Sequence, residues 1–473
     1  MTQSQLLAKE VYLIDRVDNR KREKMRHMKC ICFLRPTGKS VQALVEELRD
    51  PCYSDYYLYF TNSLRKSDIE RLAEADENEV VRELQEYFAD YLAINQDLYS
   101  LNVSFPDWHL FVENSSTWDT NALSRVAEGI LSVLLSLKKK PLIRFEKSSA
   151  LAKKLAAEIS EVVLNPEQDS FYGKSMFLNL GDLGATIKTY VDEYQVKHKS
   201  SQQIDSIADM KKFVEEYPEF RKLSGNVTKH VTLVGELSRL VSKYSLMEVG
   251  ELEQSLAVTE NHAADLKTLR GLIERPNVTD DTKVRLVLLY ALRYEKSPNN
   301  ATAQLIELLA RNKVNEKRIA LVKQMIQYAG ADQRAEDIFS NKDVFARTRN
   351  AFRGLKGVEN VYTQHTPHIV ETIQELIKGR LKEQSHPFFE GSTRDKPQDI
   401  IIFMIGGATY GEAREISKLT VSNPGVKIIF GGTTIHNAQS FMAETADAVS
   451  RWHGKSDPTS PKPERLRSVR TDA

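Results

Sequence analysis

Short runs of branched and aromatic residues alternate with amphipathic stretches between Val11 and Phe111. The apolar runs are "VYLI", "CICFL", "YYLYFT" and "DYLAIN". The stretches between them, "GKSVQALVEELRD" and "SDIERLAEADENEVVRELQEYF", repeat apolar residues at helical spacing. This alternation of strand and helix patterns predicts a parallel sheet covered by helices.

The middle of the chain has a helical pattern. Two helices are predicted from Ser124 to Leu137 and from Ser148 to Val163. From Met176 to Lys382 apolar residues recur every three or four positions, as in "DTKVRLVLLYALRYE" and "IALVKQMIQYAG". We therefore predict a long all-helical domain.

The sheet pattern returns in "QDIIIFMIGG" and "GVKIIFGGTT", which are separated by the predicted helix "YGEAREISKLT". One β-α-β unit is too small to stand alone, so it is expected to complete a sheet that begins before the helical insertion. The residues after Trp452 have no periodicity and predict a disordered tail. The fold class is thus α/β plus all-α.

Composition narrows the range of partners. The chain has 473 residues, and its 66 Lys and Arg nearly balance its 65 Asp and Glu. No field of one sign is available to gather nucleic acid or anionic lipid, so we expect partners recognised by shape. The longest apolar runs are far too short to span a bilayer, which predicts no transmembrane segment.

The cysteines and the N-terminus indicate a reducing compartment. Only Cys30, Cys32 and Cys52 occur, and the first two lie in the apolar stretch "MKCICFL". An odd number of cysteines and no secretory signal predict reduced, buried thiols in the cytosol. Zinc binding is a distant second interpretation.

The stretch "IIFMIGGATYGEAREI" resembles a phosphate-binding loop at first sight. Gly406 and Gly411 hold the first and sixth positions of the P-loop pattern, but Glu412 and Ala413 stand where Lys and Ser or Thr are needed. Ala408 likewise replaces the second glycine of a dinucleotide-binding loop. A nucleotide-binding α/β enzyme that uses the Gly406–Gly411 turn is therefore kept only as the alternative function.

Histidines offer few candidates for chemistry. His365 and His368 have a spacing that a metal could use, but Pro367 lies between them and no carboxylate or cysteine completes a ligand set. His436 follows a Gly-rich turn, where an active-site residue could lie, but a turn or helix-start histidine is the favoured interpretation. We predict no catalytic residue, no metal site and no cofactor.

Two stretches favour binding of another protein. In "DIERLAEADENEVVRELQEYF" apolar residues are expected to line helical faces beside Glu86, either as a groove for a short basic and apolar peptide or as core packing. These residues are Ile69, Leu72, Val80, Val81 and Leu84.

In "SIADMKKFVEEYPEFRKLSGNVTKHVTLVGELSRLVSKY" a helical hairpin is predicted with Pro218 near its bend. Its apolar stripe either packs into its own domain or faces a partner helix. The stripe comprises Leu223, Val227, Val231, Val234, Leu237 and Val241.

Taken in order, these stretches resemble the SM (Sec-one/Munc-eighteen) family of regulators of SNARE assembly. The resemblance runs from about Lys9 to Phe441. It rests on "KEVYLIDRVD", "ICFLRPT", "LAEADENEVV", "LLSLKKKPLIRF", "SIADMKKFVEEYPEFRKLSG", "TKHVTLVGELSRLV", "FRGLKGVENVYTQHTP", "IKGRLKE", "PQDIIIFMIGGATYGEA" and "GGTTIHN".

The resemblance implies a three-domain arch with two parallel-sheet α/β domains and a large helical domain. It assigns residues 1–100 to the first domain, 101–163 and 398–450 to the second, 164–397 to the helical third and 451–473 to a disordered tail. The turn at Gly406 then becomes a strand-to-helix joint of the second domain. Both α/β domains are expected to be shortened, because the family's first strand precedes Met1 and a family stretch is missing between Ile159 and Val162.

The resemblance also implies a function and its sites. The first domain is expected to hold the N-terminal peptide of a syntaxin-type SNARE at Ile69, Leu84 and Glu86. The hairpin is expected to template SNARE helices. The templating residues are Pro218, Leu223, Val227 and Val231.

Such a chaperone is expected to promote vesicle docking and fusion between Golgi, endosome and vacuole or lysosome. It is expected in the cytoplasm, attached to Golgi and endosomal membranes through its SNARE. Its partners are a syntaxin-type SNARE, the assembling SNARE bundle and, as a further candidate, a Rab effector. A passive helical scaffold is the third interpretation.

Overall fold

The computed structural model describes most of the α/β regions and much of the helical region. The described residues are 6–19, 21–112, 116–163, 225–258, 261–334, 365–393 and 395–453. Among them, no helix has both the length and the hydropathy needed to cross a bilayer.

The first sheet is parallel and has the strand order β1-β2-β3. Its elements are β1 (Met25–Leu34), α1 (Gly38–Arg49), β2 (Tyr53–Phe60), α2 (Lys66–Ala75) and β3 (Val81–Glu86). Each strand pairs with the next one along the chain, so right-handed crossovers place both helices on the same face. The predicted β-α-β pattern of this region is confirmed.

One face of this sheet is packed and the other is open. Leu44 from α1, Leu58 from β2 and Leu72 from α2 are buried in one cluster. On the opposite face of β1, Ile31 and Phe33 are 66% and 60% exposed. Because strand residues alternate between faces, the same strand supplies both surfaces.

The amphipathic stretch from Ser67 to Phe88 was predicted as helical, and for its second half this is wrong. The α2 helix ends at Ala75, and both carboxylate oxygens of Asp76 accept backbone N–H groups, from Val80 at 2.8 Å and from Val81 at 3.0 Å. These bonds close a turn in which Glu79 has a φ of 52°. The chain then leaves as β3, so Val81 and Leu84 lie on a strand.

Two predicted strands are also corrected. The run "VYLI" is irregular, with Tyr12 and Ile14 65% and 70% exposed. The run "DYLAIN" contributes only the two-residue strand β4 (Leu92–Ala93). Apolar composition alone does not make a strand, because a strand also needs a neighbour to pair with.

The second sheet joins distant parts of the chain, as predicted. The strands β5 (Leu98–Ser100), β6 (Asp399–Met404) and β8 (Lys427–Gly432) lie parallel, with β4 antiparallel at one edge and the order β4-β5-β8-β6. Because β4 and β5 pair here, we propose that the second domain begins before Leu92, not at residue 101. A short parallel pair, β7 (Ala408–Thr409) and β9 (Ile435–His436), lies beside it.

Helices cover both faces of the second sheet. On one face α3 (Thr120–Leu137) and α4 (Ala150–Val163) form a core with Tyr99. On the other face α11 (His368–Ile377) and α12 (Tyr410–Ser422) pack against β8. Helix α3 begins at Thr120, before the predicted Ser124, and Asp119 caps its N-terminus. Helix α4 begins at Ala150, after the predicted Ser148.

The helical region has its own core. Its remaining described helices are α5 (Gly225–Lys243), α6 (Leu246–Val258), α7 (His262–Glu274), α8 (Asp280–Arg293), α9 (Thr302–Arg311) and α10 (Glu316–Ala329). Fully buried residues such as Leu269, Val287 and Leu305 form its centre. The last helix, α13 (Ala438–His453), inserts Met442 into the same cluster, which ties the second domain to the helical one.

Candidate functional site

The predicted peptide pocket lies at the β3 edge of the first sheet. Leu84 pairs with Leu58 of β2, and its side chain packs on the buried cluster beneath α1 and α2. Among the described residues β3 is the last strand on this side, so the backbone groups on its outer side are open. An exposed strand edge beside apolar side chains can accept an extended peptide.

The other two predicted pocket residues flank Leu84. Ile69 lies on α2 and is 40% exposed, outside the buried cluster. Glu86 is two residues after Leu84 on β3, and one of its carboxylate oxygens accepts the Leu64 N–H at 2.7 Å. That bond ties the end of β3 to the segment that leads into α2. The structure thus places Leu84 and Glu86 on the edge strand and Ile69 on α2, with Glu86 supplying a negative charge.

The predicted templating residues are only partly within the described structure. Pro218 and Leu223 lie outside the described residues. Val227 and Val231 lie on α5, but their side chains are outside the description as well. Their templating role stays a prediction.

Further along α5, two residues of the predicted stripe are exposed, whereas its last residue, Val241, is half-buried. Val234 and Leu237 are 42% and 52% exposed, and Leu233, which is not part of the predicted stripe, is 55% exposed. Positions three and four apart share a helix face, so these residues form one apolar patch. The described part of α5 thus carries an exposed apolar patch.

A buried ionic cluster at the junction of the two α/β domains was missed from sequence. Asp90 is paired with Arg35 at 2.6 Å and with Arg125 of α3 at 3.1 Å, and the Asp90 N–H donates to Ser132. Burial lowers the pKa of Arg125 to about 10, although the Asp90 carboxylate opposes the shift. The cluster fixes the first domain against the second. Residues 35, 90 and 125 are far apart in sequence, so no local pattern could have revealed it.

The Gly406 turn is a strand-to-helix joint. Gly406 and Gly407 adopt φ values of 87° and 102°, which suit glycine, and a Cβ at Gly407 would come within 2.4 Å of the His436 ring. Thr409 and Glu412 form a reciprocal capping box at the start of α12. The Glu412 carboxylate therefore occupies the helix N-terminus that a nucleotide phosphate would need, which contradicts the nucleotide-binding alternative.

This capping box yields a local prediction. We expect Thr409→Ala to lower the stability of the first turn of α12 by about 1 kcal/mol, because the Glu412 N–H loses its acceptor. Amide hydrogen exchange in that turn is expected to become about fivefold faster. Thr409→Ser keeps the hydroxyl and serves as the control. Equal exchange in the alanine and serine variants would contradict the assignment.

The candidate histidines lie at or near the ends of secondary-structure elements. His436 is buried, with Nδ1 at 2.9 Å from Ser440 Oγ and Nε2 at 3.3 Å from Glu444. It is the last residue of β9, and Asn437, whose side chain accepts the Ser440 N–H, separates it from α13. His368 begins α11, and the exposed His365 donates its backbone N–H to the Gln254 side chain at 2.7 Å. Among the described residues, no three His, Cys, Asp or Glu side chains are grouped to hold a metal ion.

Comparison with protein families gives a match over most of the chain. A family model described as Sec1 family matches residues 1–165 and 157–444. The two matched segments overlap at residues 157–165, the region in which a family stretch is expected to be missing between Ile159 and Val162. The chain is similar to vacuolar protein sorting-associated protein 45 of Mus musculus, with 44% identity over 96% of this chain and 91% of that protein.

Other relatives agree. The Schizosaccharomyces pombe protein of the same name is 40% identical over 93% of this chain and 91% of its own length. The alignment with the mouse protein spans 525 positions, more than the 473 residues of this chain, so that protein has residues without a counterpart here.

Solved structures match as well. A structure described as the SM protein Vps45 in complex with the Qa SNARE Tlg2 is 45% identical, with a TM-score of 0.80 over 96% of this chain and 92% of that one. The Unc18–syntaxin 1 complex from Monosiga brevicollis is 15% identical, with a TM-score of 0.69 over 95% of this chain and 92% of that chain, and shows the shared fold. The predicted fold class is therefore confirmed.

Proposed function

Because this chain belongs to the Sec1 family, we propose that it is a SNARE-assembly chaperone that binds a syntaxin-type SNARE and promotes vesicle docking and fusion. The observation that carries the proposal is the similarity to Vps45 in complex with the Qa SNARE Tlg2. Function follows sites rather than folds, and here the similarity extends over nearly the whole chain at a high identity.

We assign the two tasks of this function to different regions. The β3 edge, with Ile69, Leu84 and Glu86, tethers the N-terminal peptide of the syntaxin. The α5 hairpin aligns the SNARE helices, using Pro218, Leu223, Val227 and Val231 together with the exposed patch that follows them. The open strand edge and the exposed apolar stripe support this division, because each exposes a surface of the kind its ligand needs.

The domain organisation follows from the same proposal. The first α/β unit ends before Leu92, the second unit unites residues 92–163 with 398–450, and the helical insertion lies between those two parts. The ion cluster at Asp90 fixes the first unit on the second, and α13 fixes the second on the helical core. This arrangement suits a clamp, since the two proposed SNARE contacts lie on different domains with buried joints between them.

The proposed setting is transport between Golgi, endosome and vacuole or lysosome, in keeping with the names of the relatives. The chain acts in the cytoplasm and reaches Golgi and endosomal membranes through its SNARE. A Rab effector is a further proposed partner. No catalysis and no cofactor are required, because family members regulate SNARE proteins and are not enzymes.

Two measurements test the proposal. Isothermal titration of the folded chain with the cytoplasmic region of a syntaxin-type SNARE is expected to show micromolar or tighter binding. SNARE-dependent liposome fusion is expected to accelerate when the chain is added. Binding without acceleration would favour the passive scaffold, and failure of a folded sample to bind any syntaxin would overturn the proposal.

A nucleotide titration tests the rejected alternative directly. We expect no binding of ATP to the Gly406–Gly411 turn, because Glu412 caps the helix there. Micromolar binding that Gly407→Trp abolishes would restore the enzyme interpretation.

A further inference from the structure

Two cysteine thiols face each other on the edge strand of the first sheet. Cys30 and Cys32 are separated by one residue on β1, so their side chains point to the same face. Their sulfur atoms lie 3.6 Å apart in a thiol–thiol hydrogen bond. The two sulfur atoms are in direct contact, and the proposed SNARE-binding function does not use this contact.

The two thiols differ in accessibility and acidity. Cys32 is buried at 8% exposure, whereas Cys30 is only partly buried. The hydrogen bond from Cys32 lowers the pKa of Cys30, and the Arg22 guanidinium adds to this effect against burial and the Glu47 carboxylate. The same contact and burial raise the pKa of Cys32. Cys30 is also the more exposed of the two thiols, so an oxidant dissolved in water reaches it first.

We propose that Cys30 and Cys32 form an oxidation site at which a hydroperoxide, such as hydrogen peroxide, closes a reversible disulfide within strand β1. The Cys30 thiolate attacks one peroxide oxygen, the O–O bond breaks, and hydroxide leaves and takes up a proton to become water. Cys30 is now a sulfenic acid. The Cys32 sulfur attacks the Cys30 sulfur, the S–O bond breaks, and a second water leaves with the thiol proton. Two thiols and one hydrogen peroxide thus give one disulfide and two waters.

The backbone accounts for the reversibility. Residues two apart on an extended strand have Cα atoms roughly 6.6 Å apart. This is the upper end of the usual range of about 4.4–6.8 Å for a disulfide. Closing the bond therefore draws β1 into a local bend, and strained disulfides are the ones that thiols reduce readily.

The bend has a predictable location. Cys30 pairs with Tyr56 and Cys32 with Leu58 across the β1–β2 ladder. Drawing the two cysteines together is expected to loosen these backbone hydrogen bonds while leaving the second sheet unchanged. Amide hydrogen exchange in β1 and β2 should rise, and exchange in β6 and β8 should not.

Cys52 serves as an internal control. It is also a free, partly buried thiol, but burial raises its pKa and it lies before β2 rather than beside the pair. Trypsin separates the two sites. Cleavage after Lys29 and resistance of the Arg35–Pro36 bond leave both pair members in residues 30–39, whereas Cys52 falls in residues 50–65.

The test treats the folded full chain with a few equivalents of hydrogen peroxide, blocks free thiols with an alkylating reagent and maps tryptic peptides by mass spectrometry. The peptide 30–39 is expected to lose two hydrogen atoms and both alkylation sites, and dithiothreitol should restore both. Cys52 is expected to remain alkylated. The Cys52→Ser variant should give the same disulfide, and Cys30→Ser or Cys32→Ser should abolish it.

Three results would overturn the proposal. One is that both cysteines of peptide 30–39 stay alkylated at a peroxide dose that oxidises Cys52. Another is that this peptide becomes cross-linked to peptide 50–65. The third is direct conversion to sulfinic acid without a disulfide that dithiothreitol reverses.

Discussion

Leu84→Arg is expected to abolish binding of a syntaxin N-terminal peptide. Leu84 lies on the open edge strand with its side chain on the apolar cluster of the first domain. An arginine there removes the apolar contact and places a positive charge where a basic peptide must dock. We expect affinity to fall at least 100-fold, equivalent to about 2.7 kcal/mol.

Calorimetry with a synthetic syntaxin N-terminal peptide measures this effect. Because Leu84 is partly buried, the variant must also be shown to retain its circular dichroism spectrum and melting temperature. Ile69→Arg is a second variant that folding tolerates more easily, since Ile69 is 40% exposed, and it should weaken binding by about tenfold.

A matched control lies outside the pocket. Val421 on α12 is an apolar residue with 80% exposure, so Val421→Arg introduces the same charge in the second domain. Its peptide affinity should equal that of the unchanged chain. If folded Leu84→Arg and Ile69→Arg also bind with unchanged affinity, the peptide site is not at this edge.

The parts of the fold that could be predicted from sequence are those with a local signal. The strands β1 and β2 carry dense branched and aromatic runs, and α1 carries its apolar residues at helical spacing. The sequence therefore predicts both the strands and the helix. The stretch after Ala75 was misassigned because Val80, Val81 and Leu84 also fit a helical period. The turn is decided by Asp76, whose side chain competes for the backbone N–H groups.

Other features depend on contacts that no local window contains. The run "VYLI" has strand composition, but the structure gives it no pairing strand among the described residues. Burial of Asp90 between Arg35 and Arg125 follows only from docking of two domains. Conversely, the return of β6 and β8 to the sheet of β5 was predicted, since a lone β-α-β unit needs a partner.

For the proposed sites, too, some features could be predicted from the sequence and others only from the structure. Motifs spread along the chain identified the family, and family membership supplied the functional class. The position of Leu84 on an edge strand rather than on a helix came only from the structure, and it favours an extended peptide that lies beside this strand.

Substitutions in the exposed patch on α5 are expected to slow SNARE-dependent fusion. The patch residues contribute little to folding, so such variants should remain folded. Leu237→Asp, alone or with Val234→Asp, places charge on the face proposed to meet a SNARE helix. Both side chains are about half exposed, so the free energy of unfolding should change by less than about 0.5 kcal/mol. We expect SNARE-dependent liposome fusion to slow by about tenfold, the effect of losing roughly 1.4 kcal/mol of contact in the assembling bundle.

The matched control for this experiment lies on the same helix. Thr232 is exposed and lies on the side of α5 away from Val234 and Leu237, so Thr232→Asp adds the same charge without touching the patch. Fusion with Thr232→Asp should proceed at the unchanged rate, and all three variants should bind the syntaxin peptide normally, because the peptide site is on another domain. Equal fusion rates for Leu237→Asp and Thr232→Asp would mean that this face of α5 does not contact SNARE helices. A loss of peptide binding in the α5 variants would instead mean that the two sites are not separate.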